Sequence, residues 1–199
     1  LPAGAVTDPS GLGASTPEGR TVPSHARAVD RWSDGSIRWA LLELALDSDV
    51  ATVELSMTAG PNSLPLTPLR VSADGASTSL DTGNLQVELR PGLPFPFGRV
   101  RRGSTAVLDE ASSGLRLEFA DAGVVDLDIA AVTVRSASPL RAVIVVTGVA
   151  RGGGSCPLQV DARLEFFAGL PVVRIETTLR NPSPAQHPGG CWVLGDRGS

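Results

Sequence analysis

The sequence contains no lysine and no tyrosine, so all 17 of its basic residues are arginines. Lysine and tyrosine are common proton-transfer groups, and without them the candidate general acids and bases reduce to two histidines, His25 and His187, and the carboxylates. The formal net charge is -4 over 199 residues, with no run of like charges. That balance argues against nucleic acid as a partner, because nucleic-acid-binding proteins need a basic face. It also gives no reason to expect an anionic membrane surface as a partner.

Cysteine is scarce, and long hydrophobic runs are missing. Cys156 and Cys191 are the only cysteines, and they fit either a disulfide bond in an exported protein or two buried thiols. They flank a predicted hairpin that would bring them close together. Neither a CxxC motif nor a histidine cluster is present, so we predict no metal or other cofactor. No stretch reaches the roughly 18 apolar residues of a membrane span, and the start at Leu1 indicates a processed or trimmed N-terminus.

Apolar and polar residues alternate along much of the chain, which is typical of half-buried strands. The alternation covers residues 53–58, 85–90, 115–119, 158–166 and 173–180, and a more continuous apolar run at 140–149 predicts a central strand. No segment shows a helical period, so we predict an all-β fold of barrel and antiparallel sandwich type. The segment Ser72–Gly83 is polar and poor in bulky apolar residues. We place a boundary there, between a small front domain, residues 1–75, and the start of a β-sandwich domain, residues 76–199.

The dipeptide Asp34-Gly35 lies between two strand-like runs and favours a two-residue hairpin turn. That turn would set Arg31 directly opposite Arg38 and would place Trp32 and Trp39 together on the other face. The tryptophans then serve either as core anchors or as a platform on which a sugar stacks. Opposed like charges destabilise a strand pair, so the arginines need a nearby carboxylate or an acidic ligand such as a uronate.

Six motifs together resemble one known family. They occur in this order: Val22–Arg27 with Arg31–Leu42, Asp81–Leu85, Pro139–Val143, Phe166–Arg174, Thr177–Pro182 and Cys191–Asp196. Each motif alone is moderately specific. The set is more specific, because the motifs occur in the same order as in that family. The sequence resembles the exo-rhamnogalacturonan lyase-like family, that is, polysaccharide lyase family 26 and its relatives.

The resemblance implies a fold and a function. It implies a RIFT-type barrel, then a β-sandwich, then a C-terminal α/α toroid, in a secreted extracellular or periplasmic protein that cleaves a uronic-acid polysaccharide by β-elimination. The sequence stops inside the expected sandwich. The toroid is therefore an expected missing partner, and we expect no cleavage from this chain alone. The alternative is a non-catalytic carbohydrate-binding or structural β module. The resemblance assigns no catalytic residue.

The loop that follows the last predicted strand is the preferred candidate for saccharide contact, because sites lie more often on loops at strand ends than on sheet faces. It brings a guanidinium, an amide, an imidazole and an indole into one short segment: Arg180, Asn181, His187 and Trp192. Arg31 and Arg38 are further candidates for contact with an acidic sugar. The alternative is that His187 is a solvent-exposed loop residue, Trp192 belongs to the core and Arg180 pairs with a carboxylate.

The alternation pattern predicts a circular dichroism spectrum dominated by β-structure. We expect a helix content well below about one-fifth, because the globular average of roughly one-third arises from 3.6-residue periods that this sequence lacks. A spectrum that fits a helix content above about one-fifth would contradict the predicted fold class.

Overall fold

A computed structural model describes residues 1–57, 64–119, 123–153 and 156–182. Within these ranges fifteen strands form antiparallel sheets that include a curled half-barrel. Helical structure is limited there to two short 3-10 turns, Pro9–Gly11 and Arg151–Gly153. The predicted all-β fold is confirmed. No helix in this part of the chain has the length and apolar character needed to cross a membrane.

The front of the molecule contains two small sheets. One has the strand order β2-β1-β5, and the other is the hairpin of β3 and β4. The bounds are β1 Gly13–Ser15, β2 Thr21–Val22, β3 Ser24–Arg31, β4 Ile37–Leu44 and β5 Glu54–Ser56. A small core of Val6, Leu12, Ala26 and Ile37 joins the N-terminal segment to the hairpin. The alternation at 53–58 predicted a buried face, but Leu55 and Met57 are exposed. The RIFT-type barrel stays a prediction.

Two five-stranded sheets form the larger part of the molecule. The first comprises β6 Arg70–Asp74, β7 Ser77–Asp81, β8 Gln86–Leu89, β9 Arg99–Arg102 and β10 Thr105–Leu108. The second comprises β11 Arg116–Phe119, β12 Gly123–Ala137, β13 Arg141–Ala150, β14 Gln159–Phe167 and β15 Val173–Arg180. In both sheets each strand pairs with its neighbour in sequence, so each sheet is a meander of hairpins.

The two five-stranded sheets pack face to face over one apolar core, which makes this part a β-sandwich. The inward-facing residues of β8, β13 and β14 belong to one cluster that includes Leu89, Ile144, Leu164 and Phe166, all fully buried. Alternation with a period of two selects these positions, because successive side chains in a strand point to opposite faces. The predicted central strand at 140–149 is β13, and the predicted hairpin at 158–180 is β14 with β15. The buried face predicted for 173–180 is wrong, because Ile175 and Leu179 are exposed.

The predicted boundary between residues 75 and 76 falls in a tight turn. Strands β6 and β7 pair on either side of it, with Asp74 opposite Ser77. The polar segment Ser72–Gly83 is therefore mostly a hairpin within one sheet, and it lacks bulky apolar residues because one of its faces is exposed. The division of the chain into two domains stays a prediction.

The motif Asp81–Leu85 connects the two sheets of the sandwich. The fully buried Thr82 hydroxyl accepts hydrogen bonds from the Leu85 amide at 2.9 Å and the Asn84 amide at 3.3 Å, and it donates to the carbonyl of Leu170 at 3.2 Å. The Thr82 carbonyl accepts from the Gly169 amide at 2.7 Å. The β7–β8 turn is therefore fastened to the β14–β15 turn, which gives this motif a structural role.

We expect Gly83→Ala to destabilise the protein by about 1–3 kcal/mol more than Gly19→Ala, because a new methyl group would overpack its site. Both glycines have nearly the same positive φ, 86° and 83°, so both substitutions share the backbone cost. A Cβ at position 83 would lie 2.6 Å from the Cβ of Thr67, whereas at position 19 no atom lies within 4 Å. Urea denaturation of the two variants measures the difference. Equal midpoints and slopes would contradict this packing.

Candidate functional site

A groove of about 1050 Å³ covers the outer face of β6, β7, β8 and β9. The alternation that buries Leu80 and Val87 points their neighbours outward into this groove. The polar side chains along its floor are Arg70, Ser72, Ser77, Ser79, Asp81, Gln86, Glu88, Arg99 and Arg101. The end of β12 and the turn after it supply a wall, residues 137–139.

Strand register arranges the floor into two rows that run across the strands. In the first row the cross-strand pairs join Arg70 to Asp81, Asp81 to Gln86, and Gln86 to Arg101. Neighbouring strands lie about 4.8 Å apart, so the two arginines of this row are about 14 Å apart at their backbones. The second row runs through Ser72, Ser79, Glu88 and Arg99.

The arginines of the first row carry charge that the described residues do not neutralise. Neither Arg70 nor Arg101 has a carboxylate of the described chain within ion-pairing distance, and Arg101 donates only to the carbonyl of Ser104, at 3.1 Å. Arg99 differs, because it pairs with Glu88 at 3.4 Å and with Glu110 at 2.5 Å. The first row can therefore bind anionic groups, whereas Arg99 is already paired.

The groove offers charge and hydrogen bonds but no stacking surface. None of the described residues that line it is aromatic, and none is histidine. Serine hydroxyls and the Gln86 amide can both donate and accept hydrogen bonds, and guanidinium groups bind carboxylates through two parallel hydrogen bonds. Such a floor suits a ligand with many hydroxyl groups and spaced carboxylates.

A polar junction lies at the wall of the groove, where the front hairpin meets the sandwich. Glu43 faces His25 across the β3–β4 pair, with His25 Nδ1 3.7 Å from Glu43 Oε2. The same oxygen accepts a hydrogen bond of 2.6 Å from the hydroxyl of Ser138, which is also a lining residue of the groove. The junction and the groove therefore share Ser138.

Arg141 extends this junction into the sandwich. Its guanidinium lies 3.8 Å from Glu43 Oε1 and 3.0 Å from Glu165 Oε2. Glu165 is only 3% exposed, and Arg163 also pairs with it. A buried carboxylate needs such partners to offset its lost hydration. Because Arg141 is held by two carboxylates, it lacks the free face that a substrate carboxylate would need.

Among the residues predicted to bind substrate, Arg31 and Arg38 do not lie opposite each other. The turn has a three-residue loop, closed by a 2.8 Å hydrogen bond from the Trp32 amide to the Ser36 carbonyl, and it places Arg31 opposite Ile37. The two-residue turn predicted for Asp34-Gly35 is therefore wrong. Gly35 has a φ of 83°, the left-handed conformation that follows a type I turn in such loops.

Each of these arginines has its own partners. Arg31 donates to the carbonyls of Thr7, at 2.9 Å, and Gly35, at 2.7 Å. Arg38 lies 3.4 Å from Asp30 and stacks on Trp32, 4.8 Å from the ring centre. A uronate is therefore not needed to explain the pair. Both lie at the tip of the front hairpin and do not line the groove.

The tryptophans of this hairpin are not core anchors. Trp32 is 38% exposed and Trp39 is 63% exposed, whereas Ile37 is fully buried. Strand irregularities between Ala28 and Arg31 shift the pairing, so simple alternation gave the wrong inward face.

The other predicted contacts lie elsewhere or outside the described residues. Arg180 is the last residue of β15, opposite Gln159 on β14, and Asn181 follows the strand. Arg180 therefore lies on the second sheet of the sandwich, and neither residue lines the groove. His187, Trp192 and Cys191 fall outside the described residues. Cys156 is half-buried, and its disulfide with Cys191 stays a prediction.

The groove residues themselves were not predicted as a site. The alternation at 85–90 indicated that Gln86 and Glu88 point outward, but it gave no sign that Arg70 and Arg101 complete the same row. No protein-family model matches this sequence, and the search of curated proteins finds no matching relative. The case for function therefore depends on the geometry.

The turn of the front hairpin contributes stability that depends on pH through the carboxyl group of Asp34. Hydrogen bonds from the Ser36 hydroxyl, at 2.5 Å, and the Ser36 amide, at 2.9 Å, hold the pKa of the Asp34 carboxyl below its ordinary value. Since the unfolded value is about 3.9, the stabilisation is complete above that pH and is lost as the pH falls through the folded pKa.

We expect Ser36→Ala to raise the pKa of Asp34, as measured by carbon-13 NMR titration of the carboxyl groups. Asp109 is the internal control, because the Ser112 hydroxyl and amide lower its pKa in the same way and remain in the variant. If Asp34 titrates at the same pH with and without the Ser36 hydroxyl, the hydrogen-bond explanation fails.

Proposed function

We propose that this chain is the β portion of a secreted polysaccharide lyase-like protein and that its groove binds a uronate-containing polysaccharide of rhamnogalacturonan type. The observation that carries the proposal is the first row of the groove floor, with an unneutralised guanidinium at each end. The order of motifs along the chain supports the same family.

The charge order of this row favours a particular polymer. Between Arg70 and Arg101 lie an acidic residue, Asp81, and a neutral one, Gln86. A carboxylate above Asp81 would be repelled, while a sugar hydroxyl there can donate to it. A backbone that alternates uronates with neutral sugars, as rhamnogalacturonan does, matches this order better than a polymer with a carboxylate on every unit.

The chemistry of a lyase would need more than this groove. In β-elimination a base removes the proton beside the uronate carboxyl, a double bond forms, and the leaving oxygen takes up a proton. The described groove lining holds carboxylates but no histidine, and Arg141 is engaged by two glutamates. These features favour saccharide binding as the role of this chain itself. The second candidate function is accordingly a non-catalytic carbohydrate-binding module.

Calorimetric titration with oligosaccharides tests the proposal. We expect binding to rhamnogalacturonan oligosaccharides, weaker binding to polygalacturonate fragments and none to a neutral polysaccharide. Arg70→Ala or Arg101→Ala should each weaken affinity about tenfold, the effect of losing a charge-assisted hydrogen bond. Added salt should weaken binding as well.

Arg102→Ala is the matched control, because Arg102 is adjacent on β9 and does not line the groove. Equal losses of affinity in the Arg101 and Arg102 variants, or no binding of any acidic saccharide by the unaltered chain, would refute the proposal.

Ultraviolet absorbance of the same mixtures tests for cleavage. We expect binding by this chain without formation of an unsaturated uronate, and formation of that product would assign catalysis to the β domains.

A further inference from the structure

The hydroxyl of Ser138 is a structural centre of the groove wall. It donates to Glu43 at 2.6 Å and accepts from the amides of Leu140, at 3.2 Å, and Arg141, at 3.0 Å. The Arg141 carbonyl lies 3.2 Å away as a competing acceptor, but a carboxylate at shorter distance is the stronger partner for a single proton. One donated and two accepted bonds use the full capacity of a hydroxyl group.

The next residue joins this wall to the first strand of the groove floor. The carbonyl of Pro139 accepts a 2.8 Å hydrogen bond from the amide of Leu69. Leu69 is buried and immediately precedes Arg70, the arginine at one end of the first row. A shift of the Ser138 turn is therefore passed on to the backbone that carries Arg70.

Glu43 is the only residue of the front hairpin that the described contacts connect to this wall by a hydrogen bond. It is separated from Ser138 by 95 positions in sequence. Its carboxylate also lies 3.7 Å from His25 and 3.8 Å from Arg141. The His25 imidazole and the Arg141 guanidinium hold the Glu43 carboxylate at the junction, where it accepts the hydrogen bond from the Ser138 hydroxyl.

We propose that Glu43 is a positioning residue for the groove: from the front hairpin it fixes the Ser138 wall and, through Pro139, the place of Arg70. The inference rests on the proposed function only where it concerns affinity for saccharide. The link from Glu43 to Leu69 is a property of the chain without ligand, so it can be tested separately.

Amide hydrogen exchange of the ligand-free chain, read by NMR, tests the link. We expect Glu43→Ala to increase exchange at Leu69, Leu140 and Arg141 about tenfold, since a hydrogen bond to a charged group is lost. Glu43→Gln keeps an acceptor oxygen and should restore most of the protection. The matched control is Glu54→Ala, which removes an exposed glutamate of the front sheet. The internal reference is the Ile129 amide, which donates to the carbonyl of Leu93 within the sandwich. Its exchange rate should be the same in all variants.

Affinity for the rhamnogalacturonan oligosaccharides is then measured on the same variants. We expect Glu43→Ala to weaken it severalfold, with recovery in Glu43→Gln and no change in Glu54→Ala. Exchange rates in Glu43→Ala equal to those of the unaltered chain would overturn the proposal, and so would faster exchange with unchanged affinity. Absence of saccharide binding by the unaltered chain would refute the proposed function instead, and the exchange rates would still decide whether Glu43 holds the wall.

Discussion

The buried carboxylate of Glu165 needs cationic partners, and this need determines which residues meet at the junction of the front hairpin and the sandwich. It is buried on the side of β14 that faces away from the sandwich core, between neighbours Leu164 and Phe166 that face into it. A charge in that position costs several kcal/mol of hydration unless cations compensate it. Arg141 and Arg163 supply them. With Arg141 held there, the front hairpin presents an acidic residue to it, Glu43, at 3.8 Å.

Much of the sandwich could be predicted from local patterns, because its strands pair with sequence neighbours and its inner strands show one face to the core. The hairpin of β14 and β15 and the inward set of Leu85, Val87 and Leu89 are examples. The front hairpin differs from the prediction because its loop has three residues, with the left-handed Gly35 among them, and because the strand pairing shifts at irregularities between Ala28 and Arg31. A slip of one residue in register reverses which side chains face inward.

The candidate site was harder to predict for a different reason. Its first row draws one residue from each of four strands, so it exists only once the order and register of β6 to β9 are known. The bond between Glu43 and Ser138 joins positions far apart in sequence, and no local pattern indicates it. The loop of Arg180 and Asn181 was predicted as a site because it combines functional groups in one segment, whereas the groove combines them across a sheet.

The order of strands in the two five-stranded sheets has a consequence for how the chain folds. Because every strand neighbours its predecessor, each sheet can grow by adding one hairpin at a time, with little loop-closure entropy lost at each step. The bonds that span long stretches of sequence, such as Thr82 to Leu170 and Glu43 to Ser138, form only when finished sheets meet. We therefore expect the docking of sheets to limit the folding rate, and the front hairpin to form before it docks on the sandwich.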